Sequence, residues 1–253
     1  MYDEDEDLLI LTEDEELESP LDKLEPVDAE SAEPKPDPEE MLALLISPDP
    51  NQRMLAARAF CEIEDRRAVP HLTHLLADGC PLVRVSAAYG LGRNPSPEAV
   101  DALIHQYNTD WNGYVRKGVV WALGNCHDRR ALAPLIDALK TDIPAVRLWA
   151  ASALAQMAQV GYETVLGAIP PLIEAMRQDA VPAVRSNCAW SLGQLSRELP
   201  SNVVYATAID ALLETIVEDE DLGVRDDARS SLLKVGDTRG LQLIETLEQE
   251  GLL

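Results

Sequence analysis

Pro81-Leu82-Val83-Arg84-Val85-Ser86-Ala87-Ala88-Tyr89-Gly90-Leu91-Gly92 is the stretch that decides the fold. Proline suits the first turn of a helix, where its missing N–H has no intrahelical partner. Counted from Arg84, Ala87, Ala88 and Leu91 stand at +3, +4 and +7, on one helical face. Two small residues and a leucine on that face let a second helix approach closely.

The unit repeats. Val-Arg pairs recur at Val83-Arg84, Val115-Arg116, Val146-Arg147, Val184-Arg185 and Val224-Arg225, with Gln52-Arg53 as a degenerate first copy. Proline stands three residues before the arginine in Pro50, Pro81, Pro144 and Pro182. The +7 position holds Phe60, Leu91, Leu123, Leu154, Leu192 and Leu232. A second amphipathic helix follows each unit, with apolar periodicity over 69–76, 99–104, 132–139, 169–176, 209–216 and 241–247. Asp65, Asp128 and Asp237 stand where a carboxylate caps these helices. No strand pattern competes. The chain reads as all-α: an α-solenoid of about six antiparallel helix pairs over residues 39–253. Each pair buries its apolar stripe only against its neighbours. Longer spacings place insertions near 158–165 and 199–205.

Residues 1–38 read differently. The chain of 253 residues has a formal charge of −24, and most of that charge lies in this acidic, proline-containing arm, which is expected to be disordered. Within it, Leu8, Leu9, Ile10 and Leu11 form an apolar island, read either as a chance cluster or as a short linear motif for a partner. The acidity leaves no basic track for nucleic acid. No apolar run reaches the roughly 18–20 residues of a membrane helix. Four widely spaced cysteines without a CxxC fit a reducing cytoplasm.

The repeated Pro-x-Val-Arg-x-x-Ala-Ala-x-x-Leu-Gly unit, as in residues 81–92 and 144–155, resembles the HEAT-like repeat of the phycobilisome-lyase family. The resemblance covers about residues 40–250. Length and acidic leader are similar to those of cyanobacterial HEAT-repeat proteins that bind an IscA-type iron–sulfur carrier. In family solenoids the helix that begins at Val-Arg lines the concave surface. The resemblance therefore implies a groove that carries Arg58, Tyr89, Trp121 and Trp190 at +5, and Arg93, Asn125, Gln156 and Gln194 at +9, with Lys117 and Trp149 beside them. Three of the four tryptophans fall on this helix type. Trp111 lies in a turn and is expected to cover the edge of the stack.

Aspartates precede the arginines by four to six residues, so Arg84, Arg116, Arg147, Arg185 and Arg225 are expected to form a structural ladder with the turns of adjacent repeats. Catalytic chemistry is missing. There is no His-Glu pair, Walker loop or GxSxG, and His71 with His74 lack a third metal ligand. No cofactor and no metal are expected. The resulting expectation is a non-catalytic scaffold whose groove holds a protein, implied by the resemblance to be an IscA-type carrier or a photosynthetic or phycobilisome component. The alternative is a phycobilin lyase, or lyase subunit, binding a linear tetrapyrrole.

Overall fold

A computed structural model describes residues 36–251. The apolar island Leu8–Leu11 and the arm up to residue 35 lie outside the described residues. Thirteen α-helices and no strand occur among the described residues. Six helices start at the Val-Arg units and form a first row: α2 (Pro50–Ala59), α4 (Pro81–Arg93), α6 (Gly113–Asn125), α8 (Pro144–Ala155), α10 (Pro182–Ser196) and α12 (Leu222–Val235). Seven form a second row: α1 (Pro38–Leu44), α3 (Val69–Leu75), α5 (Val100–Thr109), α7 (Leu132–Thr141), α9 (Tyr162–Gln178), α11 (Val203–Glu218) and α13 (Thr238–Gln249).

Local chemistry sets the boundaries. Proline occupies the first turn of α1, α2, α4, α8 and α10. Asp65 and Asp128 accept from Arg67 N and Arg130 N, opening short 3₁₀ turns that run into α3 and α7. Asp237 accepts from Arg239 N and Gly240 N to start α13. The insertion near 158–165 is taken up by a 3₁₀ turn at Gln156–Gln159, by Gly161 and by the first turn of α9. Gly161 has φ +146°, a conformation L side chains rarely adopt.

The core lies between the rows. Phe60, Leu91, Leu123, Leu154, Leu192 and Leu232, all at +7, are fully buried. Each such burial stabilises the stack by roughly 1.5–3 kcal/mol. First-row neighbours touch along their lengths, whereas second-row neighbours touch far less. Small side chains make the close spacing possible. A Cβ on Gly124 would lie 2.8 Å from Ala153 Cβ, and one on Gly193 would lie 2.7 Å from Ser231 Cβ.

The repeats are tied by arginine. Arg84 donates from Nε to Asp110 at 2.7 Å and from Nη1 to the Asp78 carbonyl at 2.9 Å. Arg53 pairs in the same way with Asp78, Arg116 with Asp142, Arg147 with Asp179 and Arg185 with Asp219. Each aspartate of the second repeat also accepts a backbone N–H at the start of its own helix, as Asp110 does from Asn112 and Asp179 from Val181. One carboxylate thus fixes both a turn and the neighbouring repeat. Arg225 differs, donating to the Asp219 carbonyl with no carboxylate rung of its own among the described residues.

Burial opposes ionisation of Asp78, Asp110, Asp179 and Asp219. Arginine and N–H hydrogen bonds outweigh it and hold all four carboxyls below their ordinary value. Asp49 instead caps α2 through Asn51 N.

Candidate functional site

Among the described residues the first-row helices leave one face uncovered, and side chains at −2, +1, +2, +5 and +9 populate it. In the first half of the stack, Met54, Arg58, Leu82, Val85, Tyr89 and Trp121 line a hollow of about 380 Å³. Tyr89 and Trp121 lie against each other, with ring centroids 5.5 Å apart and planes at 44°. This tilted arrangement is favourable for aromatic quadrupoles. The Trp121 ring can sit there because residue 92 is glycine: a Cβ on Gly92 would approach Trp121 Cζ3 to 2.2 Å. Asn125 reinforces the contact by donating to the Gly92 carbonyl at 3.0 Å.

One repeat further on, Lys117 Nζ lies 5.2 Å from the Trp149 ring centroid, a cation–π contact. In the second half, Trp190 lines a separate hollow of about 410 Å³ with Leu148, Ser152, Asn187 and Asp227. The groove residues inferred from sequence therefore fall into three groups: Arg58 with Tyr89 and Trp121, Lys117 with Trp149, and Trp190. Arg93 is turned to Glu64, 2.9 Å away in an exposed ion pair. Gln156 accepts from Gln159, and Gln194 is half-buried.

Two residues of this face escaped the sequence reading. Leu82 is 62% exposed and Tyr114 is 75% exposed. Both stand at −2, seven residues before +5, and so share its helical face. That register was available in the sequence. Trp111 is a correction: it does not cover the edge of the stack but is 78% exposed. Asp110 is drawn inward by Arg84 and Asn112 caps α6 through Tyr114 N, so the residue between them projects outward.

The titratable groups show little activated chemistry. Burial pushes the Cys61 thiol up to about 11, with Arg58 pulling weakly the other way. Burial likewise raises the Cys126 and Cys188 thiols. Thiols so placed are protonated at neutral pH and are poor nucleophiles or ligands. Cys126 Sγ instead contacts the Ser96 carbonyl at 3.8 Å. His71 and His74 face a different hollow beside Ile46, Arg53 and Asp78. No group of three or more histidines, cysteines or carboxylates placed to hold a metal ion occurs among the described residues. No helix among them is long and apolar enough to cross a membrane.

A sequence model describing HEAT repeats matches residues 38–123, 103–168 and 169–250. Among solved structures, the complex of CpcE and CpcF of phycocyanin lyase from Nostoc sp. PCC7120 is similar at 21% identity and a TM-score of 0.55, over 91% of this chain and 99% of that one. A designed armadillo repeat protein in complex with the peptide (KR)4 is similar at 20% identity and a TM-score of 0.55, over 78% and 98%. Kap95p, solved with RanGDP, is similar at 18% identity and a TM-score of 0.55, over 78% of this chain and 30% of that one. At these identities the likeness is one of fold. No curated protein matches the chain.

Proposed function

We propose, from the premise that the chain belongs to the HEAT-repeat family, that it is a non-catalytic scaffold whose first-row face holds a protein partner. The observation that carries this reading is the Tyr89–Trp121 pair, open to solvent at the hollow shared with Arg58 and Leu82. Tryptophan, tyrosine and arginine are the residues that dominate interface energetics. The stack does not need an aromatic at +5, because Ser152 and Ser230 fill the same slot in other repeats. The repeat-protein neighbours include peptide- and protein-bound examples, which favours the same class of partner. The resemblance noted in the sequence makes an IscA-type iron–sulfur carrier and a phycobilisome component the first partners to try.

A second reading, a phycobilin lyase or one of its subunits, has its own support. The CpcE–CpcF likeness spans nearly the whole of both chains, and an aromatic hollow beside Arg58 suits a flat conjugated ligand with propionates. One experiment separates the two. The full chain is mixed with a linear tetrapyrrole and its absorbance followed, then used to retrieve partners, with Trp121→Ala and Trp190→Ala alongside. A retrieved protein lost in the variants, with no absorbance shift, supports the scaffold. A tight, variant-sensitive absorbance shift overturns it in favour of the lyase.

A further inference from the structure

The three first-row tryptophans are not equivalent. Trp121 has Tyr89 against its ring, and Trp149 has the Lys117 ammonium over its ring. Trp190 has neither an aromatic nor a cationic partner among the described residues, and it is 36% exposed. Its ring opens onto the hollow of about 410 Å³ that it shares with Asp227. Asp227 comes from the next helix, α12, and no lysine or arginine among the described residues lies within ion-pair distance of it. Its one side-chain donor is the Ser186 hydroxyl. An acceptor ring and an unneutralised carboxylate thus face one cavity from adjacent repeats.

The chain already contains the matching half of this arrangement elsewhere. Lys117, at +1 of one repeat, reaches the tryptophan of the next and supplies the cation there. At Trp190 the +1 residue of the preceding repeat is Leu148, which lines the same hollow and brings no cation, while the following repeat places Asp226 and Asp227 at +1 and +2. An ammonium or guanidinium seated on the Trp190 face would gain the ring quadrupole and donate to the carboxylate at once. An apolar side chain would leave Asp227 unanswered, and an anion would be repelled.

We propose that the Trp190–Asp227 hollow is a binding site for one lysine or arginine side chain of a partner polypeptide. The inference rests on the scaffold reading and specifies the chemistry of one end of its ligand. It orients the partner along the stack, with a cationic residue over the fifth and sixth repeats and an apolar or aromatic one in the Leu82–Tyr89–Trp121 hollow.

The test uses the full chain, with the four indole N–H signals assigned by single Trp→Phe changes. The peptide (Lys-Arg)4 is titrated in, with (Gln-Asn)4 as the neutral control. The Trp190 indole is expected to move saturably with the cationic peptide alone, and Asp227→Asn, which keeps the side-chain volume, to weaken that binding about tenfold. An unshifted Trp190 indole at peptide concentrations that saturate binding to the chain overturns the proposal. Partner retrieval separates it from the reading beneath it. A partner lost with Trp121→Ala but fully kept by Asp227→Asn overturns the cation site and leaves the scaffold standing. A partner kept by every variant overturns both.

Discussion

Replacing Asp110 with alanine should be among the most damaging single changes available in this chain. The carboxylate accepts from Arg84 Nε at 2.7 Å, Arg84 Nη2 at 3.0 Å, Gln106 Nε2 at 2.6 Å and Asn112 N at 2.9 Å. Its side chain is 1% exposed and that of Arg84 is 10% exposed. Truncation therefore strands a buried guanidinium with only carbonyls as acceptors. Breaking one side of such a pair costs roughly 3–5 kcal/mol. For a domain of this size that corresponds to a melting temperature lowered by about 6–20 °C. The single variant Arg84→Met should cost a similar amount by stranding Asp110. The double variant Arg84→Met/Asp110→Leu should recover most of the loss, because an apolar pair has no charge to strand. It keeps a deficit of about 1 kcal/mol for the lost hydrogen bond from Asn112 N in the turn before α6. Urea unfolding followed by far-ultraviolet circular dichroism measures all three. A cost below about 1 kcal/mol for Asp110→Ala, or strictly additive losses in the double variant, would refute the rung as an energetic tie between repeats.

Acid should loosen the same rungs. The folded-state carboxyls of Asp78, Asp110, Asp179 and Asp219 lie below their ordinary value. Their contribution is thus complete above the unfolded value of about 3.9 and is lost as pH falls through the folded values. Melting temperature should be insensitive to these groups above about pH 5 and fall steeply below it, with a shallower fall in Asp179→Asn. Gly92→Ala should displace the Trp121 ring, since the added Cβ would meet it at 2.2 Å. The expected cost is about 1–3 kcal/mol with a shift in tryptophan emission. An unshifted spectrum would show that the ring does not rest on Gly92. Deleting residues 1–35, which leaves the Asp37 cap of α1 in place, should leave helicity and melting nearly unchanged. It should alter the salt dependence of partner association, which titration at two ionic strengths would show.

The fold was legible because the packing rules are local. Proline at the first helical turn, alanine at +3 and +4 and leucine at +7 each state one requirement of a helix that must nest against a copy of itself. Repetition turns six weak signals into one strong one. The aspartate–arginine spacing was visible too. What it could not convey is that one carboxylate serves the turn and the neighbouring repeat together, since that depends on the rise between repeats. The aromatic register at +5 located Tyr89, Trp121 and Trp190. Their different circumstances stayed hidden, because they are set by a neighbouring first-row helix: Gly92 beneath Trp121, Lys117 over Trp149, Asp227 opposite Trp190. Leu82 and Tyr114 were overlooked although their register placed them on the same face. Trp111 was misread because its orientation follows from what its two neighbours bond, not from its place in a turn.

The most direct test of the scaffold account is the affinity of the retrieved partner for three forms of the full chain: unmodified, Trp121→Ala, and Val217→Ala. Val217 is half-exposed on α11 in the second row and serves as the control. A buried aromatic anchor at an interface is worth about 2 kcal/mol or more. Trp121→Ala is therefore expected to weaken binding at least roughly 30-fold while circular dichroism stays unchanged, and Val217→Ala to bind like the unmodified chain. Undiminished affinity in Trp121→Ala, or a loss with Val217→Ala in its place, would contradict the assignment of the first-row face as the binding surface.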